Sequence, residues 1–199
     1  FDLFTDRIVA EFTGRTEFAD DMHEIVRKLC LFYNGKVLYE SNIKGYYSYM
    51  ERMHSTYLLA DTPQYLRDKQ IIKYSGFGSS AKGVSATAPV NNFANRLIKD
   101  WFNKLVPIER TDENGNKEII QIPSLYLLKT RALIEEAIQF NPEINVDRIR
   151  ALGMVMLYRE EYIILYGNNL NRESREKVRK DDPSNDPFFK RNYDFRFRQ

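Results

Sequence analysis

The run KVLYESNIKG, from Lys36 to Gly45, decides how this chain is read. Residues 36–40 form a short β-rich stretch, and polar Ser41 and Asn42 close it before a helical stretch over about 44–53. Upstream, Phe18, Met22, Ile25, Val26, Leu29 and Phe32 recur at helical spacing. They predict a helix over about 16–33, with Thr16 as N-cap, Asp20 and Asp21 in its first turns, and Asn34-Gly35 as its stop. Earlier still, FDLFTDRIVAEF reads as two strands joined at Thr5-Asp6-Arg7, or as one bent ribbon, ended by Gly14. Strand, helix, strand and helix in such short order predict an α/β arrangement with parallel pairing around 36–40. That strand would be central, with its C-terminal end facing a crevice.

Downstream, a short strand over 57–60 precedes a loop-like region in which Gly76, Gly78 and Gly83 mark mobile backbone. Pro89 suits the first residue of a helix over about 90–105, with Phe93, Leu97, Ile98 and Trp101 on one side. VPIER and KEIIQI flank TDENGN, whose Asn114-Gly115 is a hairpin signal. Pro123-Ser124 opens a helix to about Phe140, which Pro142 ends. Asn145 caps a last helix over about 146–166, with an apolar face of Ile149, Leu152, Met156, Tyr162 and Ile163. From 167 to 199 there are nine Lys and Arg, six Asp and Glu and scattered aromatics, which reads as an extended or disordered tail. The organisation is therefore a domain over 1–166 and a tail over 167–199.

With 199 residues, of which 43% are hydrophobic and 29% charged, the chain has the length of one domain with a real core. No run of roughly 18 apolar residues occurs, so no transmembrane helix is expected. Thirty basic against 28 acidic residues leave a net charge of +2, too small to mark a nucleic-acid binder, so any such case must come from local arrangement. The single cysteine, Cys30, offers neither an internal disulfide nor a metal cluster and fits a reducing compartment. The chain opens on Phe1 in strand-like sequence, and the expectation is a piece of a longer protein.

Few residues are placed for chemistry. GFGSSAKG lacks the Gly-Lys-Ser/Thr ending and the strand-to-helix context of a phosphate loop, so it reads as a flexible loop. His23 and His54 lie on helical patterns without partner spacing and read as surface or rim histidines. Glu40 differs, because a carboxylate at the C-terminal end of a short apolar strand is where an open α/β sheet presents ligands. A strand simply ending in solvent would place it equally well. Asp147 starts a strongly apolar helix, where dipole complementation alone accounts for it. Taken together, two carboxylates from distant segments make part of a site for hard cations.

The succession RIVAEFTGR, FADDMHEIVRKLCLFYNG, KVLYESNIKG and LLKTRALIEEAIQFNPEINVDRIRALGMVMLYRE resembles the nuclease domain of the terminase large subunit of tailed bacteriophages. The elements from Tyr39 to Gly45 and from Asp147 to Leu152 carry most of the likeness, which covers the chain to about Tyr166. The resemblance implies an RNase H-like mixed sheet flanked by helices, with a β-hairpin insertion and an extended C-terminal tail. It implies a metal-dependent endonuclease that cuts concatemeric double-stranded viral DNA during packaging, using two Mg²⁺ or Mn²⁺ ions held by three acidic ligands. Glu40 would be the middle ligand and Asp147 the last. The first lies on the family's opening strand, expected upstream of Phe1; Asp2 or Asp6 fills that place only if Phe1 begins that strand.

By the same placement Asn42 would be a hydrogen-bond donor beside the ligands and Lys44 a phosphate contact at the crevice rim, with Lys69, Lys73 and Lys82 as further DNA contacts. Arg148 and Arg150 flank Asp147, and one of them is a candidate for tuning it. The implied partners are viral DNA, the portal protein and the small terminase subunit, in the host-cell cytoplasm and transiently at the prohead portal. ATP would belong only to an upstream motor domain. The competing expectation is a non-catalytic module of the packaging machine that docks DNA or the portal.

Overall fold

The computed structural model describes residues 1–42, 45–72, 82–111, 115–141 and 146–167. Six α-helices and a two-stranded antiparallel sheet make up its regular structure: α1 (Ala19–Phe32), α2 (Tyr46–Arg52), α3 (Gln64–Asp68), α4 (Ala88–Asn103), β1 (Leu105–Thr111), β2 (Lys117–Pro123), α5 (Arg131–Ile138) and α6 (Asp147–Tyr166). This mixture of helix and strand is compatible with α/β. None of the described helices is long and apolar enough to cross a membrane.

α4 and α6 are the backbone of the packing. Gly153 lets them approach, since a Cβ there would lie 3.1 Å from the Ala94 Cβ. Val90 and Ala94 near the start of α4 pack with Met154 and Leu157, while Ile98 and Trp101 near its end pack with Ile149, Leu152 and Met156. The two helices are therefore antiparallel. Tyr65 of α3 closes the first of these clusters, its hydroxyl donating to the Leu157 carbonyl at 3.0 Å, because a buried phenol needs a partner. A third cluster joins Cys30 of α1, Tyr46, Tyr49 and Met50 of α2, and Leu58 and Leu59.

Residues 36–41 pair in parallel at two points along their length, through Val37 with Leu59 and Glu40 with Val84, as the strand, helix and strand order led one to expect. Val37 N–H donates to Leu58 O, Ala60 N–H to Val37 O, Val84 N–H to Tyr39 O and Ser41 N–H to Val84 O. Val37, Tyr39 and Ser41 are all odd-numbered, so every one of these bonds leaves the same edge of the segment. On the even edge, the peptide groups of Leu38 and Glu40 have no partner among the described residues. A central strand needs both edges; among the described residues this one pairs through one.

Several expectations need correction. The opening segment makes a single bridge, Asp2 with Arg7, rather than two strands. Thr16 does not cap α1: its hydroxyl donates to the Phe18 carbonyl at 2.7 Å, and Phe18 is the N-cap. The strand expected over 57–60 is instead a 3₁₀ turn, Thr56–Leu58, followed by the bridge at Leu59. The helix expected from Ser124 to Phe140 is divided into a 3₁₀ turn, Ser124–Leu127, and α5. Buried Ser124 donates from its hydroxyl to the Trp101 and Lys104 carbonyls, which fixes the chain to the end of α4 before α5 can begin. Asn145, the expected cap of α6, and the tail from 168 to 199 lie outside the described residues.

Candidate functional site

The rim at the end of residues 36–41 is built by three short segments. Glu40 is half-buried where its segment meets Val84, and Asn42 follows it. The Asn42 side-chain oxygen accepts from the Ala86 N–H at 3.1 Å, so Asn42 acts as an acceptor that ties the rim to the entry of α4, not as the donor expected beside a ligand. Asn42→Ala is expected to cost about 0.5–1 kcal/mol, the worth of one exposed hydrogen bond, read as a lower urea midpoint.

Asp61 stands on the same rim and was missed by the sequence reading. It follows Leu59-Ala60 as Glu40 follows Leu38-Tyr39, so an acid ending an apolar run was the available signal. Lys82 pairs with it at 2.7 Å and also donates to the Leu59 carbonyl at 3.1 Å. The Lys82 ammonium is thus engaged within the rim. Lys69 is exposed, its ammonium lying over the rings of Tyr65 and Phe93. Lys44 and Lys73 lie outside the described residues.

Gly83 locks this arrangement. Its φ is +76°, its N–H donates to the Ala60 carbonyl at 3.1 Å, and its own carbonyl accepts from Thr62 at 2.6 Å. A sequence reading that takes Gly83 as mobile backbone is therefore corrected. Gly76 and Gly78 fall outside the described residues.

Asp147 is not at this rim. It is exposed at the start of α6, where the following turns pack on the end of α4, whereas Glu40 pairs with Val84, ahead of the start of α4. The antiparallel helices thus hold the two carboxylates toward opposite ends of α4, whose 16 residues span about 24 Å at the usual rise. Ions about 4 Å apart need their carboxylates to converge, and these two start from opposite ends of that helix. Among the described residues no group of three or more His, Cys, Asp or Glu is placed to hold a metal ion. Among the described residues the donors of a two-ion centre are not gathered at one place.

The other acids and bases near the ends of the chain are engaged elsewhere. Asp2 accepts from Phe4 N–H and from Thr5, closing its own turn. Asp6 is clasped by Arg159 and Lys104. Both carboxylates are thus engaged within the chain. Arg148 pairs with Glu11 at 3.0 Å and Glu136 at 3.2 Å, which accounts for its charge without any tuning of Asp147. One Arg150 guanidinium nitrogen is buried without a hydrogen-bond partner among the described residues. His54 is exposed, and His23 lies partly buried between Tyr46 and Tyr49. Cys30 is buried, and burial pushes its thiol pKa up, which disfavours the thiolate and any nucleophilic role.

Comparison with models of protein families, with curated proteins and with solved structures finds no match to this chain.

Proposed function

We propose that this chain acts in the nuclease domain of a terminase large subunit, handling double-stranded viral DNA during genome packaging. One observation carries the reading. Glu40 ends a segment that pairs in parallel with its neighbours, and the opposite edge of that segment has no partner among the described residues. An RNase H-like sheet places a further strand on such an edge, beside the strand-end carboxylate. The sequence elements from Tyr39 to Gly45 and from Asp147 to Leu152 supply the rest of the support.

Catalysis in this reading requires Asp147 to reach Glu40, and the described arrangement holds the two apart. That separation favours a second reading, a non-catalytic module of the packaging machine that binds DNA or the portal. Titration of the chain with Mn²⁺, followed by electron paramagnetic resonance, separates the two. For the nuclease, Mn²⁺ binds, and Glu40→Ala and Asp147→Ala each weaken it by about tenfold or more. Binding that is absent, or that responds to only one of the substitutions, overturns the metal-dependent reading and leaves the binding module.

A further inference from the structure

We propose that Lys69 and Arg96, which share the Phe93 ring, form together with Lys99, further along α4, a contact surface for the phosphate backbone of duplex DNA. This rests on the reading of the chain as one that handles DNA, and is independent of whether it cuts. The Lys69 ammonium lies 5.3 Å from the centroid of the Phe93 ring, and the Arg96 guanidinium carbon 4.9 Å from the same point. No more than about 10 Å can separate these two cations, each held by attraction to the ring. Lys99 follows Arg96 by three residues on α4, the spacing of neighbours on one helix face. All three side chains belong to exposed residues.

The cations have no described carboxylate within salt-bridge distance, in contrast to Arg27, Arg52, Lys82, Lys104 and Arg159, each of which has one. Two of the neighbouring acids are hydrogen-bonded elsewhere. Asp68 accepts from the Gln64 amide, and Glu161 accepts from the Gln64 and Tyr65 backbone N–H groups, where it caps α3. Asp100 is exposed, next to Lys99 and four residues after Arg96, and among the described residues no ion pair joins it, Asp68, Glu160 or Glu161 to these cations. Cations held close together without an ion-pair partner favour an anion, and a row of them along a helix suits an anion that repeats.

Duplex DNA is such an anion, with one charge per roughly 1.7 Å of axis, and lysine and arginine contacts to it fix position without reading sequence. The ring that holds Lys69 and Arg96 also limits the freedom those side chains lose on binding. An anionic membrane suits the patch less. Surface-bound helices insert apolar side chains, and Phe93 is packed against the core beneath its cations.

The test is fluorescence anisotropy with a labelled duplex in EDTA, across salt from about 50 to 200 mM. Replacing Lys69, Arg96 and Lys99 together by Gln should weaken binding by about 30-fold and lower the slope of log affinity against log salt by about two to three. The charge-preserving swap K69R/R96K/K99R should bind as the parent does, and so should Lys28→Gln on α1. Unchanged affinity and slope in the Gln variant overturn the proposal, as does a chain that binds anionic vesicles or acidic peptide but not DNA. With EDTA present the outcome does not depend on a metal site, so loss of the Mn²⁺ response leaves this surface standing, and loss of this surface leaves the Mn²⁺ response intact.

Discussion

Gly83→Ala should destabilise the protein by about 3 kcal/mol, and the reason lies in three constraints on one residue. A left-handed φ costs a residue bearing a Cβ ~1–2 kcal/mol, and Gly83 sits at +76°. The added Cβ would fall 2.7 Å from the Tyr39 carbonyl oxygen and 2.8 Å from the Tyr39 ring. That oxygen accepts the Val84 N–H at 2.9 Å, so relieving the clash strains or breaks the bond pairing the Glu40 segment with Val84, at about 1 kcal/mol more. Two companion substitutions separate the contributions. Gly45 has φ +100° but its nearest atom to a Cβ is the His23 ring at 3.8 Å, so Gly45→Ala should show the backbone cost alone, about 1 kcal/mol. Gly35 would bring its Cβ within 4 Å of nothing, and its substitution should be nearly neutral. Urea denaturation measures all three, and a Gly83→Ala variant no less stable than Gly45→Ala would show that the Tyr39 contact does not hold the rim.

The elements that local sequence determines were legible. Pro89 falls in the first turn of α4, Asp20 and Asp21 in the first turn of α1, and the flanks of Asn114-Gly115 pair in an antiparallel hairpin. These features depend on a few adjacent residues, so periodicity and turn chemistry report them. Glu40 was legible for a similar reason, as an acid ending an apolar run. Asp61 obeyed the same rule but was hidden, because the run before it enters its bridge from a 3₁₀ turn and its charge is matched by Lys82. The distance between Glu40 and Asp147 was not legible at all. It follows from the antiparallel packing of α4 on α6 through Gly153, a contact between segments about 60 residues apart that no local pattern encodes. Gly83 misled for the opposite reason: glycine is used both where backbone is loose and where it is too crowded for a Cβ, and sequence does not distinguish them.

Asp6→Ala should cost about 2–3 kcal/mol, because it leaves a cation that has little water to return to. Asp6 bonds Arg159 at 2.5 and 2.9 Å and Lys104 at 2.6 Å, tying the opening turn at once to α6 and to the end of α4. The Asp6 and Arg159 side chains are each only 14% exposed, whereas Lys104, at 45%, can be rehydrated. Most of the loss therefore comes from Arg159. Burial by itself pushes the Asp6 pKa up, but hydrogen bonds and charge from Arg159 and Lys104 outweigh it and hold the carboxyl below its ordinary range. A lowered folded-state pKa gives a stabilisation fully present above the unfolded value of about 4 and lost as pH falls through the lower folded value. Acidification below pH ~4 should thus erode the stability of the parent, and Asp6→Asn should flatten that part of the profile. Asparagine tolerates the left-handed φ of +58° found at Asp6, so this substitution removes the charge and spares the backbone, while alanine removes the charge but strains the backbone. An Asp6→Asn profile with the parent's acid slope would place the loss on other carboxylates. Mn²⁺ binding should be unchanged in Asp6→Asn, because the Asp6 carboxylate's charge is already matched by Arg159 and Lys104.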